Sequence, residues 1–179
     1  MNRKILWITE TAALLAMLIV LQWVTKPLGQ LVTGSCVNTV LAVSVLLTGL
    51  GSGMTVALVS PVCAYLLGIA PNLVAVPAIM AGNAVFVLLL RLIAGRQMWR
   101  KAAAWLAAAT GKFVTLYLLV VVLICGPLSG TLMEAGLMKK PMIAVMTASF
   151  SWPQLITALI GGALALTLVP VLNKAIRKR

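Results

Sequence analysis

The chain has 179 residues, of which 63% are hydrophobic and only 9% are charged, and its mean hydropathy is +1.14. Soluble domains contain about 45–50% apolar and about 25% charged residues, so this composition excludes a soluble globular protein. The net charge of +12 would suit a nucleic-acid-binding protein only on one solvated basic face, whereas these cations cluster at the ends of apolar segments. We therefore expect an integral membrane protein without a nucleic-acid partner.

Six apolar segments follow one another along the chain, and each is long enough for a membrane-spanning helix. Turn-rich or basic stretches separate them, among them "KPLGQ" after the first segment and "GLGSG" after the second. Helices are expected because an irregular segment would leave backbone amides unpaired in lipid. The predicted fold is an all-α bundle of six transmembrane helices in one domain, 1–179. The helices are predicted at about 5–25, 33–50, 53–70, 74–95, 102–124 and 152–173, with a loop at 125–151.

The basic residues predict the orientation of the bundle. With six spans both termini share one side, which collects ten Lys and Arg residues against three on the other side. The ten are Arg3, Lys4, Arg91, Arg96, Arg100, Lys101, Lys174, Arg177, Lys178 and Arg179, and the three are Lys26, Lys139 and Lys140. The positive-inside rule then places both termini in the cytoplasm and residues 125–151 outside. This outer loop is long for a plain connection, which is typical of a lid or binding element.

Pairs of small residues four positions apart occur in three of the segments, where they let helices approach closely in lipid. The pairs are Ala12 and Ala16, Ala78 and Gly82, and Ala158 and Gly162. Packing inside the bundle explains the second and third pairs. The first pair lies on the terminal helix, where a docking surface for another membrane protein is a real alternative.

The inventory of reactive side chains is small. The chain has no histidine, two carboxylates (Glu10 and Glu134) and three scattered cysteines, which excludes a histidine-rich metal site and a carboxylate pair for acid–base catalysis. A phosphate loop is also excluded, because the "GK" at 111–112 lacks the required glycine at position 106 and a hydroxyl residue at position 113. We expect no catalytic residue, metal or cofactor. A small membrane transferase remains an alternative, with Lys112 or a cysteine as its nucleophile.

Lys112 lies near the middle of the fifth segment, where an insertion cost of about 2.5–3.5 kcal/mol demands an explanation. Snorkelling to the interface suits lysines near helix ends, and neither carboxylate is placed at its depth. Besides snorkelling, two explanations are open, a contact with helix carbonyls or a polar neighbour, and a polar cavity that holds an anionic or strongly polar ligand, which we favour. Similar depths are predicted for further polar residues in the outer half, so we expect a substrate-binding pocket open to the outside. Its residues are Lys112, Asn83, Asn38, Tyr117 and Gln154.

The whole pattern resembles the substrate-capturing S components of energy-coupling factor (ECF) transporters. The likeness rests on the length, six helices, cytoplasmic termini, the AxxxA of "AALLA" in the first helix, "PAIMAGN" in the fourth and "SWPQLITALIGG" at the start of the sixth. The resemblance implies a multi-pass protein of a prokaryotic plasma membrane that captures a vitamin or similar micronutrient. It also implies docking through Ala12 and Ala16 onto a transmembrane coupling protein driven by two cytoplasmic ATPases.

Two further expectations follow. Lys112 favours a substrate with a carboxylate or a comparable anionic group, and its replacement by Ala or Met should weaken binding by at least tenfold while leaving folding and docking intact. The alternative function is an autonomous secondary transporter or channel, although the chain has no detectable internal repeat and no carboxylate proton relay.

Overall fold

The computed structural model describes residues 3–69, 72–95 and 97–177. The protein is 88% helical, and no strand occurs in the described ranges, which confirms the all-α class. The helices are α1 (Arg3–Thr25), α2 (Gln30–Leu47), α3 (Leu50–Leu66), α4 (Val76–Ile93), α5 (Met98–Leu116), α6 (Ser129–Glu134), α7 (Lys140–Ser149) and α8 (Trp152–Arg177). Short 3₁₀ turns cover Lys26–Leu28 and Leu73–Ala75, and α5 continues as a π-helix over Tyr117–Ile124.

Five described helical stretches are long and apolar enough to cross a membrane, and they contain α1, α2, α4, α5 and α8. The third helix is also apolar but shorter, at 17 residues. The architecture is therefore that of a helical, multi-pass membrane protein. A sixth span formed by α3 stays a prediction, as does the cytoplasmic location of both termini.

Helices α2 and α3 each begin three residues earlier than the hydropathy pattern predicts. Gly29 and Gly49 stand just before them with φ values of 86° and 96°, a left-handed conformation that glycine adopts without a steric penalty. The connection between α1 and α2, residues 26–29, is therefore shorter than the predicted 26–32. The connection between α2 and α3 keeps its predicted length and is shifted to residues 48–49.

The connection 125–151 differs more from its prediction as a loop, because α6 and α7 occupy much of it. Pro141 lies in the first turn of α7, where its missing N–H costs no helix bond. Met146 of α7 and Met138 just before it are buried against Leu116 and Val120 of the fifth segment. This apolar contact explains why the connection is ordered: it packs onto the bundle as a cover.

The main core is formed where α2 packs against α8 and α4 packs against α5, with α3 closing the side of α4. Helix α1 lies at the periphery and contacts mainly α2 and α3, for example through a 2.9 Å hydrogen bond from Thr11 Oγ1 to Ser52 Oγ. Gly82 lies against Leu116, and Ala158 is fully buried. The second and third small-residue pairs therefore serve packing inside the bundle, as predicted.

The contact between α2 and α8 depends on Gly161. A Cβ added there would lie 2.6 Å from the carbonyl oxygen of Ser35 and 2.8 Å from the amide nitrogen of Thr39. Because these are backbone atoms, only a separation of the two helices would relieve the clash. We predict that Gly161→Ala lowers the free energy of unfolding by about 1–3 kcal/mol, measured by thermal unfolding in detergent. Gly130→Ala is the matched control, since no described atom beyond its own local backbone lies within 4 Å of the added Cβ. Equal stability of the two variants would contradict the close contact.

Candidate functional site

A cavity of about 350 Å³ lies between the helices at one end of the bundle. We call this end the roof end, because the turn Lys26–Leu28 and the helix α7, which covers the cavity, are located there. Helices α2, α3, α4, α5 and α8 and the end of α1 supply the wall, and α7 lies over it. The charged and amide side chains of the wall are Gln22, Lys26, Gln30, Asn38, Asn83, Lys112 and Gln154. The cavity thus combines a largely apolar wall with converging polar groups, as small-molecule sites do.

Lys112 is the buried centre of this polar group, with only 3% of its surface exposed. Its Nζ donates hydrogen bonds to Asn38 Oδ1 at 2.6 Å and to Asn83 Oδ1 at 2.7 Å. The Nζ atom also lies 5.7 Å from the centre of the Phe86 ring, within the range of a cation–π contact. Three helices, α2, α4 and α5, are therefore joined at one nitrogen atom.

The orientation of Asn83 follows from a proline in α3. Pro61 lies inside that helix and has no N–H, so the carbonyl of Ala57, four residues earlier, loses its usual helical donor. Asn83 Nδ2 donates to this carbonyl at 3.4 Å. With its nitrogen turned toward α3, the amide presents its oxygen to Lys112.

Asn38 is oriented in the same way by α8. Its Nδ2 donates to Thr157 Oγ1 at 3.3 Å, and Thr157 Oγ1 donates in turn to the carbonyl of Gln154 at 3.1 Å. Thr157 is itself buried and packs against Gly34 of α2. The oxygen of Asn38 is therefore directed at Lys112 before any ligand arrives.

These contacts decide between the explanations for Lys112. Snorkelling is excluded by burial, and no carboxylate of the described residues lines the cavity, since Glu134 lies exposed in α6. The contact with polar neighbours is observed, and Lys112 also lies in the wall of a cavity, where its contact with a ligand stays a prediction. The expectation that replacing Lys112 leaves folding intact needs correction, because two buried amide oxygens would lose their donor.

The roof of the cavity is tied to its wall by hydrogen bonds. Gln30 Nε2 and Gln154 Nε2 both donate to the carbonyl of Ser149, at 2.5 and 3.1 Å, and so fix the end of α7. Lys26 Nζ donates to the carbonyl of Gly68 at 2.6 Å and joins the first turn to the end of α3. Gln154 therefore lies in the wall as predicted, with its amide nitrogen engaged in holding the roof.

Tyr117 lies outside the cavity wall as far as the described residues define it. Its ring is 39% exposed and lies 5.9 Å from the ring of Phe113, which stacks on Trp152 at 5.5 Å. The reason is helical geometry, since five residues at about 100° each turn Tyr117 away from the face of Lys112 by about 140°. The prediction matched its depth along α5 but not its side of the helix.

The cavity wall also contains Gln22, Lys26 and Gln30, which the sequence pattern did not predict there. Gln22 is a polar residue in the apolar run of α1, and Lys26 and Gln30 follow it at intervals of four. That spacing would place them on one helical face, but the turn Lys26–Leu28 interrupts the helix between them. The sequence signal for a wall residue on α1 was Gln22, an amide within the first apolar segment.

A second cavity of about 560 Å³ lies at the opposite end, beside Arg91, Lys101 and Asn173. None of the described polar side chains that line it is buried. It lacks the converging, preoriented groups of the roof-end cavity, which is therefore the candidate functional site.

No family model matches the chain, and no curated protein or solved structure matches it.

The hydrogen bond between Lys112 and Asn83 can be measured with a double-mutant cycle. We predict that Lys112→Met and Asn83→Leu each lower the free energy of unfolding by about 1–3 kcal/mol, because each leaves buried groups unpaired. The double variant should lose less than the sum, since both single changes break the same bond. The measurement is thermal or denaturant unfolding in detergent.

Asn173→Leu provides the control for this cycle, because Asn173 is exposed on α8 at the opposite end. Its effect should add to that of Lys112→Met. Simple additivity of Lys112→Met with Asn83→Leu would show that the bond contributes nothing to stability.

Proposed function

We propose that the chain is the substrate-capturing subunit, or S component, of an ECF-type importer in a prokaryotic plasma membrane. It would bind a vitamin or similar micronutrient in the roof-end cavity and pass it on with a transmembrane coupling protein and two cytoplasmic ATPases. The observation that carries the proposal is the cavity with the preoriented Lys112 in its wall. ATP hydrolysis belongs to the partners, so the chain itself is not an enzyme.

The size and polarity of the cavity support a small organic ligand. Its volume of about 350 Å³ falls at the lower end of the range for small-molecule sites, about 300–1,000 Å³. Apolar residues such as Ile79, Leu116 and Phe150 suit a hydrocarbon or ring body. A protonated lysine has three donors, and Lys112 gives two of them to asparagines, which leaves one for a ligand. With no carboxylate in the described wall, a carboxylate or carbonyl oxygen is the group best suited to Lys112.

The exposed face of α1 supports a docking role. Ala12 and Ala16 are both exposed, and Met17 and Val20 on the same side are 53% and 59% exposed. Thr11 and Leu18 face the bundle instead. Small side chains on an outward face allow another helix to approach closely in lipid, which supports a partner membrane protein there.

The proposed topology has six spans with α3 as the shortest. At 1.5 Å per residue its 17 residues are about 26 Å long, at the lower limit for a bilayer of about 30 Å. The roof end would then face outward, with Lys26, Lys139 and Lys140 on that side, and the basic clusters would face the cytoplasm.

Ligand capture is tested on the purified protein. Native mass spectrometry should find a co-purified small molecule, and Lys112→Met should raise its dissociation constant at least tenfold, about 1.4 kcal/mol. Binding is compared on the folded, monodisperse fraction, because this variant also loses stability. Lys174→Met, an exposed lysine of α8, is the matched control and should bind normally. A tightly bound cationic vitamin would contradict the anionic or carbonyl ligand.

Docking is tested by co-expression with the coupling protein and both ATPases of an ECF transporter. We predict a stable complex that Ala12→Leu combined with Ala16→Leu disrupts, because the larger side chains hold the partner helix away. Ala144→Leu, an equally conservative change at an exposed position of α7, should leave the complex intact. A wild-type chain that does not co-purify and transports substrate alone would favour the autonomous transporter.

A further inference from the structure

Gln22 has an unpaired polar atom, and its side chain belongs to the cavity wall. It lies near the end of α1 and lines the roof-end cavity. Its Oε1 atom is buried and has no hydrogen-bond partner in the part of the chain that the structure describes. Among the described side chains, no other buried oxygen or nitrogen atom lacks a hydrogen-bond partner. A buried amide oxygen without a donor costs free energy, so a native protein rarely retains one without a reason.

The other amides of the cavity wall behave differently. Asn38 and Asn83 bond at both ends, their nitrogens to Thr157 and Ala57 and their oxygens to Lys112. The amide nitrogens of two glutamines are bonded to the Ser149 carbonyl. Gln22 is thus the amide of the wall whose side chain forms no hydrogen bond with the described residues.

The backbone around Gln22 is fixed by local contacts. Thr25 Oγ1 donates to the carbonyl of Leu21 at 2.6 Å, and Thr33 Oγ1 donates to the carbonyl of Thr25 at 2.9 Å. Lys26, one turn after Gln22, is held by the carbonyl of Gly68. The end of α1 is therefore tied to both α2 and α3, and Gln22 is presented on a rigid part of the wall.

We propose that Gln22 determines ligand specificity by accepting a hydrogen bond from an N–H or O–H group of the bound molecule. The inference rests on the proposed function and deepens it, because it adds a second polar requirement to the one set by Lys112. The ligand class is a small, mostly apolar compound with a carboxylate or carbonyl oxygen for Lys112 and a separate N–H or O–H donor for Gln22. An analogue that lacks the donor leaves the oxygen unpaired, and a buried polar site rejects such an analogue strongly.

The test uses the full-length protein in detergent, stripped of bound compounds and then incubated with a small-molecule extract of the expressing cells. Native mass spectrometry measures the fraction of protein that carries a bound compound. We expect Gln22→Met, which is nearly isosteric, to lower the apparent affinity for the extracted compound at least tenfold. Gln97→Met is the matched control, because Gln97 lies just before α5, is not among the described residues of the cavity wall, and uses its side-chain oxygen to accept a hydrogen bond from Trp99 Nε1.

Stability separates ligand recognition from a structural role. In the stripped protein, Gln22→Met removes an unpaired oxygen, so its Tm should equal or exceed that of the wild type. A fall in Tm as large as that caused by Lys112→Met would assign Gln22 a structural role and overturn the inference.

The bound compound supplies a further check. After release from the wild type and exchange in deuterated solvent, it should contain at least one exchangeable hydrogen besides that of a carboxylic acid. A compound without one, or undiminished binding by Gln22→Met, overturns the role of Gln22 and leaves the proposed function standing. A wild-type protein that takes up nothing from the extract contradicts the proposed function itself, and the inference with it.

Discussion

The burial of one lysine nitrogen at the meeting point of three helices constrains much of this structure. Lys112 has no carboxylate partner in the described chain, so the amide oxygens of Asn38 and Asn83 must supply its hydrogen bonds. Each amide is aimed by a second contact, one through Thr157 of α8 and the other through the Ala57 carbonyl of α3. A buried polar group is costly when unpaired, so the five helices that carry these groups must keep their positions relative to one another.

Close packing around this centre requires small residues. Gly161 brings α8 against α2 beside Asn38, and Gly82 makes room on α4 for Leu116 of α5. Toward the roof end the helices leave a cavity, which α7 covers and which two glutamines tie to its wall. The polar network therefore has a structural role and also lines the cavity to which we assign ligand binding, so a variant of Lys112 must be tested for stability and binding together.

Helix α1 links the two surfaces to which we assign function. Its exposed face carries Ala12 and Ala16, while Gln22, about two turns further on, reaches the cavity. Because α1 packs mainly on α2 and α3, it is the least buried of the five described helical stretches that are long enough to cross a membrane. In the proposed importer, a partner bound to α1 would therefore lie on the same helix that contacts the ligand.

The sequence by itself determined the fold class, because an apolar content of 63% leaves helices as the conformation that satisfies the backbone in lipid. It also identified Lys112, Asn38, Asn83 and Gln154 as wall residues, since polar side chains are conspicuous in apolar runs. Only the tertiary structure decided which faces converge: Tyr117 has the right depth but points elsewhere, and Gln22 enters the cavity from a helix expected only to dock. The helices α6 and α7 could not be predicted either, because they are stabilised by packing on the bundle and not by a hydrophobic pattern in their own short sequences.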